Sequence, residues 1–387
     1  MRIVVAPDKF KGSLAAAGVA AAVAAGLRSV AGDAEIITLP VADGGDGTVD
    51  AAVAAGFERV PATAAGPLGE PVRASYARRG EVVVVELASV CGLALLPAGR
   101  RAPLTASSFG AGEVMRVALE AGASQVILGV GGSASTDGGA GLLQALGARV
   151  VDDRGEPVVL GGAGLDEVAG LDLAGLHPAV RTAEFVLATD VDNPLTGPDG
   201  AAAVYGPQKG ASPDEVARLD AGLRHWADVV AAAVGEDWSH VPGAGAAGGV
   251  GFAALAVLGA RMRPGIDVVL ELTGFESRLP GADLVITGEG SLDAQSLAGK
   301  APVGVARAAA RHGVPVVAVA GRNMLTAGEL AAAGIAAVYP LTDLEPDLER
   351  CHAEAAGLLR LAGQMIAHDQ LKEAQLKEQG GGHESRP

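Results

Sequence analysis

The sequence of 387 residues contains little cysteine and few aromatic residues. Its two cysteines, Cys91 and Cys351, form no CxxC pair, which argues against a disulfide scaffold and against a thiolate metal site. Its seven histidines form no HxH or HExxH pair, so a zinc centre is not expected. This cysteine usage is typical of a reducing compartment, and we expect a cytoplasmic protein.

Positive charge is also scarce, because the formal net charge is −16 and the chain contains only six lysines. An acidic surface repels nucleic acid and anionic lipid, so we expect neither a nucleic acid nor a membrane as a partner. The uncharged stretch 241–260 is long enough to span a bilayer. It contains PGAGAAGGVG, however, and the glycines favour a loop followed by a buried helix.

Strand-like and helix-like runs alternate at both ends of the chain, which predicts a doubly wound parallel sheet. Residues 70–87 instead predict two strands joined by a turn at Arg79 and Gly80, and therefore antiparallel pairing. We predict an α/β protein with a discontinuous flavodoxin-like domain and an inserted mixed-sheet domain. The expected domains are residues 1–62 with 280–367, then residues 63–279, followed by a disordered tail over 368–387.

The glycine-rich stretch GVGGSASTDGGAG, Gly129–Gly141, follows the predicted strand QVILG. Glycine permits close backbone approach, and a row of N–H groups before a helix is suited to an anion. The stretch lacks the GK[ST] sequence of a Walker A loop. We therefore predict a phosphate site of another kind, formed by Gly131, Gly132, Ser133 and Thr136.

Four further segments place a glycine-rich turn beside a carboxylate or a lysine: APDKFKGS, PVADGGDGT, ATDVDNPLTGPDGA with YGPQKGAS, and VITGEGSLDAQSLAGKAP. Ligands of open α/β sheets bind at the carboxyl ends of strands, where these turns are predicted. The candidate residues in these segments are Lys9, Lys11, Asp43, Asp190, Asp192, Asn193, Lys209, Glu289, Asp293 and Lys300.

Two other functions remain open from the residues alone. Gly129, Gly131 and Ala134 match G-x-G-x-x-A, and Gly243, Gly245 and Gly248 form an exact G-x-G-x-x-G, so a nicotinamide-dependent oxidoreductase is one alternative. Hydroxyl residues and a carboxylate interrupt the first loop where a dinucleotide-binding helix would begin, which argues against that function. A nucleotide sensor that binds ATP without consuming it is the other alternative.

These motifs, in this order, resemble the bacterial glycerate kinase family, of the glycerate 2-kinase type found among the glyoxylate- and sugar-acid-induced enzymes. The resemblance extends from Met1 to about Ala320. It implies two α/β domains, one of them flavodoxin-like, and ATP-dependent phosphorylation of D-glycerate with Mg²⁺. The expected product is 2-phosphoglycerate, with 3-phosphoglycerate as the alternative. We expect a monomer or a homodimer.

Phosphoryl transfer requires positioning and charge neutralisation more than covalent chemistry, and this requirement suggests a role for each candidate. Asp190 is the first choice for the carboxylate that orients the attacking hydroxyl, with Lys9 and Asp293 as further catalytic candidates. For the substrate the candidates are Lys11, Asp43, Asn193 and Glu289. Lys209 and Lys300 would assist the glycine loop in holding the triphosphate, and Asp190 with Asp192 would hold Mg²⁺.

Overall fold

A computed structural model describes residues 1–297 and 299–380 of the chain. Its strands are β1 Arg2–Pro7, β2 Glu35–Thr38, β3 Glu58–Ala65, β4 Pro71–Arg79, β5 Val82–Glu86, β6 Gln125–Gly129, β7 Arg149–Val151, β8 Gly170–Asp172, β9 Glu184–Ala188, β10 Arg261–Arg263, β11 Leu284–Leu292, β12 Val316–Asn323 and β13 Ala337–Pro340.

The α-helices of the described residues are α1 Ala16–Val30, α2 Thr48–Ala54, α3 Ala88–Cys91, α4 Phe109–Glu120, α5 Ala140–Ala145, α6 Ala201–Tyr205, α7 Pro213–Val234, α8 Ala246–Ala256, α9 Gly265–Thr273, α10 Ala294–Leu297, α11 Ala301–Ala310, α12 Ala327–Ala332, α13 Leu348–Ala353 and α14 Ala355–Gly380. Short 3₁₀ segments are Leu93–Leu95, Gly162–Glu167, Pro178–Arg181, Pro207–Lys209, Phe275–Arg278 and Leu341–Asp343.

The chain divides into two compact units. The first, called here the flavodoxin-like unit, comprises residues 1–42 and the described residues from 269 onward; the second, the mixed-sheet unit, is Asp43–Val268. The boundaries expected after residues 62 and 279 therefore differ from this division by 20 and 11 residues. One reason is that β3 pairs along its whole length with β4, which joins the residues before 62 to the middle of the chain.

The flavodoxin-like unit contains a five-stranded sheet with the order β2-β1-β11-β12-β13. All of its strand pairs are parallel, and in chain order the strands read 2-1-3-4-5, as in flavodoxin-like folds. The β1 sequence RIVVAP is buried from Ile3 to Pro7, because helices cover both faces of such a sheet. The parallel doubly wound sheet predicted from the sequence is confirmed.

The mixed-sheet unit contains a six-stranded sheet with the order β10-β9-β6-β5-β4-β3. The strands from β10 to β5 run parallel, and β4 and β3 continue the sheet in antiparallel fashion. The predicted hairpin is confirmed, with Gly80 and Glu81 in the turn between β4 and β5. The inserted mixed sheet expected from the sequence is thus present.

The C-terminal segment differs from its prediction. The disordered tail was expected from His368, but α14 continues to Gly380. Ile366 and Ala367 are fully buried, and the hydroxyl of Tyr339 donates to Asp369 Oδ2 at 2.9 Å, so this part of the helix is packed on its unit. The remainder of the predicted tail, residues 381–387, lies outside the described residues.

The uncharged stretch 241–260 forms the buried helix expected for it. Helix α8 occupies its middle, and nearly all residues of that helix are buried. Within residues 1–297 and 299–380, we find no helix whose length and apolar character would suffice for crossing a membrane.

Candidate functional site

The glycine-rich loop begins where β6 ends, as predicted, and α5 starts only at Ala140. Gly132 adopts a left-handed conformation with φ of 74°, which turns the chain sharply after the strand. The N–H groups of Gly131, Gly132 and Ser133 donate to no acceptor among the residues that the structure describes. The loop therefore has three backbone donors available for an anion, and these belong to the predicted phosphate site.

Lys209 holds this loop from the interior of the mixed-sheet unit. Its side chain is only 2% exposed, and its ammonium group donates to Ser133 Oγ at 2.9 Å and to the carbonyl oxygen of Ser135. Burial lowers the pKa of Lys209 to about 8. The prediction that Lys209 assists nucleotide binding remains untested, but its contacts in the structure are with the loop.

A second buried charge fixes the far end of the loop. The carboxylate of Asp137 accepts hydrogen bonds at 2.8 Å from the backbone N–H and from the hydroxyl of Ser108, at the start of α4. Burial raises the pKa of Asp137, and these hydrogen bonds oppose that shift. The neighbouring Thr136 is fully buried, and its hydroxyl has no hydrogen-bond partner among the described residues. Its predicted contact with nucleotide would require access to that interior hydroxyl.

The second G-x-G-x-x-G pattern supports the first loop instead of forming a dinucleotide site. Its last glycine, Gly248, accepts a hydrogen bond from the N–H of Gly138 at 3.0 Å. Gly248 has a φ of 69°, and a Cβ there would stand 2.1 Å from the carbonyl oxygen of Ser135. The pattern therefore reflects a close approach of two backbones inside the unit.

The Gly44–Gly45 turn packs directly against the glycine-rich loop. A Cβ on Gly131 would stand 2.6 Å from the Cα of Gly45, so neither loop can carry a side chain at this contact. On the other side, a Cβ on Gly265 would stand 2.0 Å from the carbonyl oxygen of Asp43. Asp43 and the predicted phosphate loop are therefore close together.

Asp190 joins the same group of loops. It follows β9, and its Oδ1 accepts a hydrogen bond from the N–H of Gly265 at 3.0 Å. Gly265 follows β10, the strand that pairs with β9. The structure thus places Asp190 and the Gly131 loop at the carboxyl ends of the neighbouring strands β9 and β6, where open α/β sheets bind ligands, and brings Asp43 against them.

Asn193 makes internal contacts in the turn after Asp190. Its side-chain N–H donates to the carbonyl oxygen of Asp199 at 2.8 Å, and its Oδ1 accepts from the hydroxyl of Tyr205 at 2.7 Å. Asp192 is exposed, and burial together with the nearby Asp192 carboxylate raises the pKa of Tyr205. These contacts fix the turn, while the predicted substrate contact of Asn193 remains a prediction.

The predicted Mg²⁺ ligands are two carboxylates, Asp190 and Asp192. Among residues 1–297 and 299–380, no group of three or more histidine, cysteine, aspartate or glutamate side chains is arranged to hold a metal. Mg²⁺ usually takes one or two protein carboxylates and completes its shell with water and substrate phosphate oxygens. The donor set at Asp190 and Asp192 therefore fits a Mg²⁺ ion that arrives with a nucleotide.

The flavodoxin-like unit gathers a second set of predicted residues, at the ends of β1 and β11. These strands are paired up to Pro7 and Gly288, so the residues that follow them are neighbours. Glu289 is buried, and Lys9 lies 3.8 Å from the carboxylate of Asp8. Lys11 is exposed and makes no hydrogen bond or ion pair with the part of the chain that the structure describes.

Asp293 and Lys300 lie in the turn after β11. The carboxylate of Asp293 accepts from the backbone N–H of Gln295 at 2.9 Å, and Lys300 Nζ donates to Gln295 Oε1 at 3.2 Å. Both side chains are half-buried. They are thus linked through Gln295, and their predicted catalytic and nucleotide-binding roles remain predictions.

Two buried carboxylates were missed by the sequence reasoning. Asp8 directly follows β1 beside Lys9, and Glu86 ends the apolar run VVVVE. Glu86 is 6% exposed, and its Oε2 accepts from the N–H groups of Gly47 and Val49 at 3.0 and 3.2 Å. Burial raises its pKa to about 7. In both cases the sequence shows a carboxylate at the end of an apolar, strand-like run, and this pattern could have predicted them.

Comparison with known proteins gives one consistent family. The profile of the glycerate kinase family matches residues 3–370. A glycerate kinase of Bacillus subtilis (strain 168) is 44% identical over 370 residues, covering 95% of this chain and 97% of that protein. A glycerate 2-kinase of Escherichia coli (strain K12) is 45% identical over 343 residues, covering 88% and 90%.

A solved structure agrees with these sequence matches. The crystal structure described as that of a glycerate kinase 2 from Salmonella typhimurium LT2 superposes with a TM-score of 0.83 at 42% sequence identity. The match covers 97% of this chain and 99% of that one. The family resemblance inferred from the motifs is thereby confirmed, and the match includes the last strands and α14 up to residue 370.

Proposed function

The chain belongs to the glycerate kinase family and is an enzyme, and from that premise we propose that it phosphorylates D-glycerate with ATP at the 2-hydroxyl. The products are 2-phosphoglycerate and ADP. The E. coli relative, named a glycerate 2-kinase, supports the choice of the 2-hydroxyl. Phosphorylation at the 3-hydroxyl is the alternative.

One observation carries the assignment of ATP to the mixed-sheet unit. The open N–H groups of Gly131, Gly132 and Ser133 are held by buried groups behind them and lie in the same cluster of loops as Asp190. A preorganised row of backbone donors suits phosphate oxygens without needing many cations. Because the chain is acidic and contains six lysines, few side-chain cations are available for phosphate, and backbone N–H donors supply the contacts instead.

Asp190 serves in this proposal as the group that accepts the proton of the substrate hydroxyl. The hydroxyl oxygen forms a bond to the γ-phosphorus, and the bond from that phosphorus to the β,γ-bridging oxygen breaks. The hydroxyl proton passes to the Asp190 carboxylate, and the electron pair of the broken bond leaves with ADP. The hydrogen bond from the N–H of Gly265 fixes the carboxylate for this task.

Asp190 and Asp192 would hold the Mg²⁺ that accompanies ATP. When bound, such an ion neutralises charge on the phosphate oxygens. Asp43, against the same loops, is proposed to bind the substrate or to support this ion.

The residues of the flavodoxin-like unit are proposed to recognise glycerate. Lys9 and Lys11 offer positive charge to its carboxylate, and Glu289 offers an acceptor to a substrate hydroxyl. Asp293 and Lys300 are proposed as supporting groups of the same unit. A cytoplasmic location and a monomer or homodimer remain predictions from the sequence.

A nicotinamide-dependent oxidoreductase is no longer supported, because the chain belongs to a kinase family and the second glycine pattern contacts the first loop inside the unit. The sensor alternative predicts ATP binding without turnover. A coupled assay of ADP release separates the two remaining functions.

The proposed activity is tested with D-glycerate and glycerol as matched acceptors. With ATP and Mg²⁺, ADP should be released in the presence of D-glycerate and not above background with glycerol, which lacks the carboxylate. Equal rates with both compounds would remove the proposed substrate. Binding of ATP without ADP release under any of these conditions would indicate a sensor.

A further inference from the structure

A cavity of about 550 Å³ opens on the mixed-sheet unit beside the glycine-rich loop. Its floor is one face of the β3–β4 pair, from which Arg59, Pro61, Arg73 and Ser75 line it. These odd-numbered residues share a face because side chains alternate along a strand. The opposite face is mainly apolar and contacts the core, with Ala64 and Tyr76 buried. The strand pair thus has a core side and a polar side.

The cavity is contiguous with the proposed phosphate site. Ala88 lines the cavity, and its Cβ would stand 3.5 Å from a Cβ placed on Gly132. Glu86, another lining residue, pairs in the sheet with Gly129, where the loop begins. From β6 to β3 is three interstrand spacings, about 14 Å, so a ligand anchored at the loop can extend over β5 and β4 into this space.

The charge of the lining disfavours an anion. The lining contains three acidic residues, Asp46, Asp50 and Glu86, and two arginines, and burial raises the pKa of Glu86 to about 7, so that it is partly ionised at neutral pH. Arg59 is engaged by Asp50 at 2.6 Å and donates to Ser75 Oγ at 3.1 Å. Neither glycerate nor a phosphate group is therefore suited to this space. A neutral ligand rich in hydroxyl and amino donors can use the carboxylate acceptors.

One lining cation is available to such a ligand. Arg73 is exposed and makes no hydrogen bond or ion pair with a residue that the structure describes. A guanidinium group stacks readily on a flat aromatic ring. The second oxygen of Glu86, Oε1, likewise accepts no hydrogen bond from any described residue. The cavity therefore offers a stacking cation and an acceptor in a space that suits a ligand much larger than glycerate.

We propose that this cavity is the nucleoside pocket of the enzyme, which holds the ribose and adenine of ATP while the Gly131–Ser133 loop holds the phosphates. This inference rests on the proposed function, because it assumes that the loop binds the triphosphate. The base lies against the Arg73 guanidinium, and the carboxylates on the α2 side receive the ribose hydroxyls or the amino group of adenine.

The test measures binding of ADP and of inorganic tripolyphosphate to the full-length protein by titration calorimetry. Arg73→Ala removes the stacking cation, and Ser75→Trp fills the cavity from its floor. We expect ADP to bind about three- to fivefold more weakly to Arg73→Ala and at least about tenfold more weakly to Ser75→Trp. Tripolyphosphate, which has no nucleoside, should bind both variants as it binds the wild type.

Arg149→Ala is the matched control, because Arg149 is also an exposed strand arginine without a described partner and lies outside the cavity. It should bind ADP as the wild type does. Thermal melts check that each variant is folded, and Arg73→Ala keeps the test decisive if Ser75→Trp does not fold.

ADP affinity unchanged in Arg73→Ala and in any folded Ser75→Trp protein would overturn the nucleoside pocket and leave the proposed function intact. An equal loss of ADP and tripolyphosphate affinity would overturn it too, because the cavity would then not distinguish the nucleoside from the phosphates. Failure of the wild type to bind either compound would instead contradict the proposed function.

Discussion

The two units place different groups at the carboxyl ends of their parallel strands. In the flavodoxin-like unit, Lys9 and Lys11 follow β1. In the mixed-sheet unit, the corresponding loops carry Asp190 and open backbone N–H groups, and the lysine at the loop, Lys209, is buried. One unit therefore offers accessible lysines beside the carboxylates of Asp8 and Glu289, and the other offers amide dipoles and carboxylates, with its lysine buried.

This difference separates two ways of binding an anion. A carboxylate such as that of glycerate is recognised well by a lysine ammonium group. A triphosphate with Mg²⁺ needs donors for its oxygens and carboxylates for the metal, which the mixed-sheet unit provides around Gly131 and Asp190. In the proposed function, the lysines of the flavodoxin-like unit therefore recognise the substrate carboxylate, and the mixed-sheet unit holds the triphosphate.

The largest expected effect comes from the mixed-sheet unit, in the variant Asp190→Asn. Asparagine keeps an oxygen to accept from the N–H of Gly265 but cannot take the hydroxyl proton. We expect kcat to fall by about 10²- to 10⁴-fold with little change in the melting temperature, and a higher Mg²⁺ concentration to be required, because Asp190 is also proposed to hold the ion. Steady-state kinetics at two Mg²⁺ concentrations, beside a thermal melt, measure this.

Asp228→Asn, at an exposed position of α7, is the control and should behave as the wild type. A wild-type kcat for Asp190→Asn would remove Asp190 from the mechanism and transfer the role to Asp293 or Glu289. Partial recovery at high Mg²⁺ or Mn²⁺ would support the metal-binding part of the role proposed for Asp190, and no recovery would limit Asp190 to proton transfer.

The cations of the flavodoxin-like unit give the next largest effect. Lys11→Met removes a charged donor, and loss of a charge-assisted hydrogen bond should lower kcat/KM for D-glycerate by about 10- to 100-fold. The KM for ATP should change little. Lys11→Arg keeps the charge and should retain most of the activity. An increase confined to the KM for ATP would reverse the division of labour proposed for the two units.

The contact between the two glycine loops predicts a smaller effect. A methyl group in Gly131→Ala meets the Cα of Gly45, so we expect about 1–3 kcal/mol of destabilisation and weaker ADP binding. Gly170→Ala is the control, because its Cβ would meet only Val151 Cγ2 at 3.5 Å. Chemical denaturation measures the free energy of unfolding of both variants. Equal values for Gly131→Ala and Gly170→Ala would show that the two loops can move apart to accommodate the methyl group.

The smallest expected effect concerns the pH dependence of stability through Glu86. Its pKa is about 7 in the folded protein against 4.5 as the ordinary value, so between these pH values the folded state binds more protons than the unfolded state. The wild type therefore loses stability from this group as pH rises from about 4.5 to 7.

The glutamine of Glu86→Gln does not titrate, so this variant does not lose stability through position 86 as the pH rises. Its free energy of unfolding should gain on the order of 1–2 kcal/mol relative to the wild type between pH 5 and pH 7.5. Urea denaturation at a series of pH values measures the difference. Parallel curves for the two proteins would show that Glu86 has an ordinary pKa.

The elements that could be predicted from the sequence are those whose local residue pattern alone determines whether they form a strand, a turn or a helix end. The strand β1 and the hairpin turn at Gly80 were predicted from the local order of apolar and turn residues. At the start of α7, Ser212 forms a full capping box with Glu215, the residue three positions later. In each case the residues that form the element also determine its boundaries.

The remaining features depend on packing that a single sequence does not reveal. A lysine in a glycine-rich turn resembles an exposed ligand, but Lys209 is buried because the Ser133 loop supplies its acceptors from 76 positions away. The polar segment after His368 resembles a tail, yet residues 368–380 are helical. Leucine, lysine, glutamate and glutamine favour a helix once its first part is anchored, as Ile366 anchors α14.

The most direct test of the central assignment is the identity of the product. The full-length protein is incubated with D-glycerate, ATP and Mg²⁺, and a ³¹P NMR spectrum is recorded, in which 2- and 3-phosphoglycerate give separate resonances. We predict the 2-phosphoglycerate resonance, which should appear as the resonances of ADP grow and those of ATP decline. A 3-phosphoglycerate resonance would contradict the assignment to the 2-hydroxyl, and the absence of any phosphoglycerate would contradict the proposed function itself.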